Sequence, residues 1–281
     1  MEIKHTPLTP FVKWAGGKRQ LLSELERHIP SSYHRYYEPF IGGGALFLHL
    51  QPKNATISDL NEELVLTWQM IKEQPNELLF LLAEHQANDS KEYYLVIRSA
   101  DRDGRLQMMS SVERAARFIY LNKAGFNGLW RVNKQGQNNV PYAHPKTLNL
   151  VMTDLIYSLS EYLNQNDIHI HHQSYIQTIS TAKQGDFVYF DPPYVPLTDT
   201  ASFTSYTKEG FTLKDQEQLR NIAYELTQRG VHVMLSNSSA PLIYELYQDD
   251  CFHIHEVKAK RAINSNGDDR GAVTEVIITN Y

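Results

Sequence analysis

The tetrapeptide Asp191-Pro-Pro-Tyr194 combines a carboxylate, two prolines and an aromatic ring directly after the apolar run 187–190. Pro192 and Pro193 fix the backbone and lack N–H donors, so the loop presents carbonyl oxygens as acceptors. These groups suit the exocyclic amine of a base, whose lone pair is delocalised into the ring. If Asp191 and the Pro192 carbonyl accept the two amine hydrogens, the nitrogen becomes tetrahedral and nucleophilic. Tyr194 would hold the base by stacking, worth about 1–3 kcal/mol.

A glycine-rich turn, Phe40-Ile-Gly42-Gly-Gly44, separates a predicted strand from a predicted helix. Glycines at such a turn let a ligand approach the backbone at a helix N-terminus. Asp59 ends the next predicted strand, where an acid commonly accepts hydrogen bonds from ribose hydroxyls. The same carboxylate also fits a capping box that runs to Glu62. The pattern predicts a nucleotide-like ligand at Phe40, Gly42 and Gly44, and favours ribose binding over capping for Asp59.

A third motif, Lys13-Trp-Ala-Gly-Gly-Lys18, lies near the start of the chain. Gly16 and Gly17 can direct consecutive N–H groups at an anion, and Lys18 adds positive charge for a carboxylate. Trp14 offers an apolar lid. Taken alone, these residues would equally form an ordinary turn with surface lysines. The motif gains weight from the other two.

Alternating strands and helices must position these motifs. Strands are predicted at 36–40, 55–58, 186–190, 231–235 and 273–279, and helices at 45–50, 62–73, 78–86, 112–123, 153–164 and 213–229. A Gly/Asn-rich loop or hairpin spans 126–142. The pattern predicts an α/β fold with a mainly parallel sheet. We expect a catalytic domain over 1–60 and 163–281, and an inserted, mainly helical domain over 61–162.

Composition limits the class of protein. The 281 residues are 42% hydrophobic and 21% charged, which argues against a disordered or fibrous chain. The single cysteine excludes a disulfide framework and fits a reducing compartment. No apolar run approaches the roughly 18–20 residues of a membrane span, and no signal core opens the chain, so a cytosolic protein is expected.

The net charge of −5 conceals a basic stretch. Residues 98–134 contain eight Lys or Arg and three acids. A local basic surface can bind phosphate on an acidic molecule. A solvated helical face explains the same charges equally well, so charge permits nucleic acid without requiring it.

Six motifs in this order resemble the Dam-type DNA adenine-N6 methyltransferases, over residues 8–281. They are Lys13-Trp-Ala-Gly-Gly-Lys18, Glu38-Pro-Phe-Ile-Gly-Gly-Gly44, Ser58-Asp-Leu-Asn61, Phe126-Asn-Gly-Leu-Trp-Arg131, Asn139-Val-Pro-Tyr142 and Asp191-Pro-Pro-Tyr194. The resemblance implies a Rossmann-like methyltransferase sheet with a helical target-recognition insert, in the motif order of the alpha group of amino-methyltransferases. It implies S-adenosylmethionine as donor and the adenine of GATC in double-stranded DNA as the usual target.

The resemblance also implies roles for single residues. Trp14, Lys18, Asp59 and Asp191 would contact the cofactor, and Asp191 to Tyr194 would hold a flipped adenine. The implied DNA-contacting residues are Lys13, Phe126, Asn127, Leu129, Arg131 and Pro141.

Physical chemistry agrees with the DNA-contacting set. Arg131 can bind guanine O6 and N7 bidentately, which is worth about 1–3 kcal/mol of discrimination. Phe126 can wedge into the base stack and offset part of the cost of extruding a base. Leu129 can touch a thymine methyl group. The alternative for Phe126 and Leu129 is hydrophobic packing within the loop.

One segment departs from the family pattern. After Tyr142 many relatives continue with Gly-Arg-Tyr-Lys, whereas Ala143-His-Pro-Lys146 follows here. Phosphate contacts and flanking-sequence preference are therefore in doubt, although His144 and Lys146 can compensate.

Other signals are weaker. Two groups of alternating histidines are typical of strand faces rather than of a metal site, and no metal is expected. They are His169, His171 and His172, and His253 and His255. Cys251 lies beside two aspartates that disfavour a thiolate, and amine methylation needs no covalent enzyme intermediate. The polar run 264–271 is predicted to be a mobile loop. No obligate protein partner is implied. The alternatives are cytosine-N4 methylation and a DNA-binding protein that no longer transfers methyl groups.

Overall fold

A computed structural model describes residues 7–197, 211–260 and 272–281, apart from the side chains of 259, 260, 272 and 273. The predicted loop at 264–271 lies outside these residues. The described strands are β1 Tyr36–Glu38, β2 Asn54–Asp59, β3 Asp167–His172, β4 Phe187–Phe190, β5 His232–Ser238, β6 His253–Lys260 and β7 Ala272–Thr279.

The strands form one mixed sheet in the order β3-β2-β1-β4-β5-β7-β6. The first five strands in this order are parallel, and β7 is antiparallel to both β5 and β6. The chain order reverses between β1 and β4. In open α/β sheets, ligands bind at such a reversal, beyond the carboxyl ends of the strands. The fold is Rossmann-like, as predicted.

The helices cover both faces of the sheet. They are α1 Leu22–Arg27, α2 Ala45–Leu50, α3 Glu62–Glu73, α4 Pro75–Ala87, α5 Lys91–Ser99, α6 Ser111–Ala124, α7 Thr153–Gln165, α8 Tyr175–Thr178, α9 Leu213–Gln228 and α10 Pro241–Leu246. The predicted helices are confirmed, with ends shifted by a few residues. Sequence reasoning missed α5, in which Tyr94 is buried and Tyr93 and Ile97 pack half-buried against the same core.

All four side chains of strand β4 are buried, so helices must pack on both faces of the sheet. Phe187 and Tyr189 join one hydrophobic core, whereas Val188 and Phe190 join the other. Successive side chains of a strand point to opposite faces, so a continuous apolar run requires a core on each side.

The helical region between β2 and β3 shares the first of these cores. Helix α3 packs on β2 and β3, helix α7 packs on β3, and α3 also packs on α6. Leu64 and Trp68 therefore belong to the same core as β-strand residues. The division into a catalytic domain and an inserted domain at 61–162 stays a prediction. Among the residues described, no helix is both long and apolar enough to cross a membrane.

Candidate active site

A cavity of about 770 Å³ lies at the point where the strand order reverses. Its walls come from the turn after β1, the end of β2, the loop after β4 and the segment 9–20. The Phe126–Gly128 turn also lines this cavity, through Asn127 and Gly128. The three sequence motifs therefore line one cavity, although they are far apart in the chain.

Asp191 follows β4 on the cavity wall, and its carboxylate lies 2.8 Å from the Lys18 ammonium. The Asp191 side chain is 19% exposed. Burial raises the pKa of Asp191 to about 6, against the opposing effect of the Lys18 charge. The Lys18 ammonium also lies 4.4 Å from the centre of the Tyr194 ring. One cation thus contacts both side chains that the sequence assigns to the target base, Asp191 for its amine and Tyr194 for stacking.

The backbone of this loop is tied to α9 and β5. Gln216 donates a hydrogen bond to the Pro193 carbonyl at 2.9 Å, and the Val195 N–H donates to Asn237 at 3.1 Å. Asn237 also donates to Gln216 at 3.1 Å. These buried amides fix the direction of the Pro-Pro turn. Sequence reasoning missed them, because no local pattern marks a side chain that bonds a distant loop.

The glycines of the turn after β1 are required by the protein's own packing, and not only by the approach of a ligand. Gly42 has a φ of +46°, and an added Cβ would lie 2.6 Å from the Trp14 indole. Gly44 has a φ of +70°, and a Cβ there would lie 2.7 Å from Trp68. Both positions need glycine for the backbone and for the packed indoles. Trp14 lies on the cavity wall over this turn, as does the half-buried Phe40.

Asp59 lies on the cavity wall but does not cap the helix. Asn61 caps α3 by accepting from the Leu64 N–H at 3.1 Å, so the capping box at Asp59 was wrong. The Asp59 carboxylate instead accepts from the Gly42 N–H at 3.1 Å and the Asn61 N–H at 2.9 Å. Asn61 is therefore the capping residue, and the Asp59 carboxylate connects the end of β2 to the turn that follows β1.

The predicted anion site at Gly16 and Gly17 does not have two free N–H groups, because the chain forms a turn there. The Gly17 N–H donates to the Trp14 carbonyl at 3.1 Å, so it is already used. Lys18 donates to the Gly16 carbonyl at 2.8 Å as well as pairing with Asp191. Positive charge at this turn comes from a side chain held within the cavity wall.

Glu38 is a second buried carboxyl on the cavity wall that sequence reasoning did not single out as a site residue. It is 3% exposed and accepts a hydrogen bond from the Tyr36 hydroxyl at 2.6 Å. Burial and, to a smaller extent, the nearby Asp191 charge raise the pKa of Glu38 to about 8, against the opposing effect of the Tyr36 hydrogen bond. The cavity therefore holds two carboxyls that favour protonation more than exposed carboxyls do.

Asn122 joins the cavity wall to the predicted DNA-contacting loop. This fully buried amide accepts from the Lys13 N–H at 3.0 Å and donates to the carbonyls of Lys13 at 2.9 Å and Gly128 at 2.8 Å. Gly128 also packs against the Lys13 side chain, since an added Cβ would lie 2.5 Å from it. Lys13, an exposed side chain, is thereby fixed beside the loop.

The loop itself forms a narrow hairpin, joined by the bridges Gly125–Tyr142 and Val132–Asn138. Phe126 is 52% exposed, so it does not pack within the loop, whereas Leu129 is half-buried on the cavity wall.

Three more predicted DNA-contacting residues lie on the same hairpin. Asn127 has a φ of +57° and is exposed. Arg131 is exposed and donates to the Asn139 side chain at 2.7 Å. Pro141 is exposed, and its carbonyl accepts from the Phe126 N–H at 2.9 Å.

Most arginines of the basic stretch are bound within the protein. Arg117 is 1% exposed and pairs with Asp101 at 3.1 Å, and Asp101 also pairs with Arg102 and accepts from the Asn138 N–H at 2.8 Å. Arg98, Arg105 and Arg114 likewise bond carbonyls or carboxylates. Neither a uniform basic surface nor a solvated face describes this stretch. Arg98 and Arg102 donate to hairpin carbonyls, and Arg117 holds Asp101, which accepts from the hairpin. Arg105 and Arg114 bond groups outside the hairpin.

A smaller positive cluster remains at the cavity. Lys123 is half-buried on the wall, and its pKa is lowered by burial and by the charges of Lys13 and Arg19. These three cations all line the cavity.

The discounted histidines contact other groups. His169 bonds Asp167 at 2.8 Å, and its ring lies 6.1 Å from that of His171. The described part of the chain contains no group of three or more His, Cys, Asp or Glu arranged to hold a metal ion. Cys251 is half-buried just before β6 and does not line the cavity.

The sheet order and the motifs around this cavity define a Rossmann-like methyltransferase fold. Residues 14–263 match the family described as D12 class N6 adenine-specific DNA methyltransferase. The chain belongs to this family, which favours adenine over the cytosine alternative.

Several relatives align along nearly their whole length. A type II methyltransferase of Lactococcus lactis subsp. cremoris is 52% identical over 274 residues, covering 98% of this chain and 96% of the relative. A type II methyltransferase of Methanocaldococcus jannaschii is 38% identical over 301 residues and covers 100% of both chains. The DNA adenine methylase of Escherichia coli K12 is 34% identical over 270 residues, covering 95% and 93%.

Proposed function

We propose that this enzyme transfers a methyl group from S-adenosylmethionine to N6 of an adenine flipped out of a short duplex site, GATC. The observation that carries this proposal is the Asp191 carboxylate on the wall of a cavity at the strand reversal, next to a proline-fixed carbonyl and an aromatic ring. A carboxylate and a carbonyl are the acceptors that an exocyclic amine needs to become nucleophilic.

The residues present fit the donor. A cavity of about 770 Å³ lies within the roughly 300–1,000 Å³ usual for ligand sites. Asp59 offers carboxylate oxygens to ribose hydroxyls, Lys18 offers an ammonium to a carboxylate, and Trp14 and Phe40 offer apolar surface. When bound, S-adenosylmethionine supplies an activated methyl group on a sulfonium.

The depth of Asp191 supports the proposal of base flipping. Its side chain is 19% exposed within a cavity, where a base stacked in a duplex cannot reach it. The exposed ring of Phe126 is available to fill the gap left in the stack. In the cavity, Asp191 and Pro192 hold the amine, and Asp191 stabilises the positive charge that develops on nitrogen. Holding both reactants removes much of the entropic barrier.

Site preference is assigned to the hairpin. Arg131 and Leu129 read base edges, with Asn127 and Pro141 beside them, and Lys13, Arg19 and Lys123 contact phosphates or bases at the cavity entrance. GATC is proposed from the resemblance of Phe126–Arg131 and Asn139–Tyr142 to the Dam-type motifs.

The test is methyl transfer from labelled S-adenosylmethionine to duplexes with one GATC, against a scrambled duplex, followed by nucleoside analysis. N6-methyladenine in the GATC duplex alone is the expected result. Labelled adenine in another sequence would preserve the chemistry and contradict the proposed site. Binding without transfer to any duplex would favour the DNA-binding alternative.

A further inference from the structure

We propose that Glu275 is a positioning residue that orients the Tyr194 ring for the target base. This inference rests on the proposed role of Tyr194 in holding adenine. Glu275 lies beyond residues 14–263, the part of the chain that matches the family. No sequence motif pointed to it.

A direct hydrogen bond connects the two residues. The Tyr194 hydroxyl donates to the Glu275 Oε2 atom at 2.9 Å. Both side chains are half-buried, so the bond is partly shielded from water. A hydrogen bond to a carboxylate is stronger than one between neutral groups. The bond restrains the far end of the ring, whereas the Pro193 and Val195 contacts restrain only the backbone.

Glu275 stands on a rigid strand. It is the fourth residue of β7, opposite Ser238 of β5 on one side and Val257 of β6 on the other. Val276, Ile277 and Ile278, which follow it, are buried. Because β7 is antiparallel to β5, its start lies beside the carboxyl end of β5, at the same edge of the sheet as the cavity.

The charge of Glu275 also acts on the ring. Burial and the neighbouring Asp191 and Glu275 carboxylates raise the pKa of Tyr194, so the phenol stays neutral and keeps its hydrogen to donate. Donation to a carboxylate enriches the ring in electrons, and such a ring attracts positive charge over its face. The Lys18 ammonium already lies there, 4.4 Å from the ring centre. The amine nitrogen of a stacked adenine gains positive charge during transfer.

A second phenol–carboxylate pair supplies a matched control. On the neighbouring strand β6, Glu256 accepts from the Tyr244 hydroxyl at 2.6 Å. This pair is exposed and does not line the cavity. Glu256→Ala therefore removes the same kind of bond from the adjacent strand without touching Tyr194.

The experiment measures single-turnover methyl transfer at saturating donor and duplex, with Glu275→Ala, Tyr194→Phe, the double variant, Glu275→Gln and Glu256→Ala. Glu275→Ala is expected to slow transfer about tenfold, the effect of losing a hydrogen bond to a charged group. In the Tyr194→Phe background the same change is expected to have no further effect. Glu275→Gln keeps an acceptor and is expected to recover most of the rate, and Glu256→Ala to match the parent.

A loss of equal size in both backgrounds would overturn the inference, because Glu275 would then act without Tyr194. Parent-like transfer by Glu275→Ala would overturn it too, and would leave the proposed function intact. A measurement independent of activity uses tyrosine labelled with ¹³C at Cζ. The Tyr194 resonance, assigned with Tyr194→Phe, should move in Glu275→Ala and stay in Glu256→Ala. An unmoved resonance contradicts the inference even if the enzyme modifies another substrate.

Discussion

The Lys18 ammonium lies 2.8 Å from the Asp191 carboxylate, so a turn near the start of the chain neutralises the carboxylate that follows β4. Burial raises the pKa of Asp191, the Lys18 charge opposes this effect, and without Lys18 the pKa would be higher still. The pair holds the catalytic candidate ionised at neutral pH although it is buried.

A pH profile follows from this pair. Since the pKa of Asp191 is raised to about 6, transfer should slow as the pH falls through that value, because a protonated carboxyl is a weaker acceptor and carries no negative charge to stabilise the amine nitrogen. We expect kcat/KM for the donor, which reports the free enzyme, to fall about tenfold per pH unit below it. In Lys18→Ala the acid limb should move to higher pH, whereas Lys18→Arg should keep it near its original position. If the acid limb of Lys18→Ala stays at the same pH or moves to lower pH, then Lys18 does not lower the pKa of Asp191 and the prediction is wrong.

Gly42→Ala tests the packing of the cavity turn. Its Cβ would meet the Trp14 indole at 2.6 Å, so the indole must leave the cavity wall and donor affinity should fall by at least about tenfold. Gly136→Ala is the control, because Gly136 also has a positive φ but no atom lies within 4 Å of an added Cβ. Equal donor affinity in Gly42→Ala and the parent, measured by calorimetry, would show that the turn tolerates a side chain.

Arg117→Met tests the brace behind the hairpin. Its side chain is 2% exposed and pairs with Asp101, which would lose its buried partner. Breaking a buried pair by removing one member costs about 3–5 kcal/mol, so the free energy of unfolding in urea should drop by that order. Arg105→Ala breaks the more exposed Arg105–Asp103 pair and should change little. Similar unfolding curves for both variants would contradict a structural role for Arg117.

Arg131→Ala tests base reading. If the guanidinium binds guanine bidentately, discrimination at that base should weaken by about 1–3 kcal/mol. Lys134→Ala, on the same hairpin, should weaken binding to all duplexes alike if it contacts DNA only through phosphate. The measurement is kcat/KM on duplexes with single-base changes. Unchanged discrimination in Arg131→Ala would remove it from the reading set.

Much of the fold could be predicted from local patterns. The apolar run of β4 and the strand–glycine–helix pattern after β1 indicated strands in a parallel sheet, and the rule for carboxyl ends put Asp191 and Gly42 at one edge. Asp59 was harder, because Asp59 and Asn61 are both good capping residues and only the backbone decides which one caps.

The supporting residues could not be predicted in this way. Asn122 bonds Lys13, which lies 109 positions away, and Glu275 bonds Tyr194 across 81 positions. Neither contact has a periodicity or spacing that marks it. Burial of Arg117 could not be predicted either, because a basic residue in a charged helix is usually exposed, whereas Arg117 is only 1% exposed. Such contacts arise from tertiary packing and become visible only in the structure.

The central claim is that Asp191 activates the target amine. Its most direct test is single-turnover methyl transfer by Asp191→Ala on a GATC duplex, with duplex binding and thermal unfolding measured on the same protein. We predict that transfer falls by at least about 10²–10³-fold, as for the loss of a preorganised charge-stabilising group, while duplex binding is largely retained. Transfer at the rate of the parent enzyme would contradict the account.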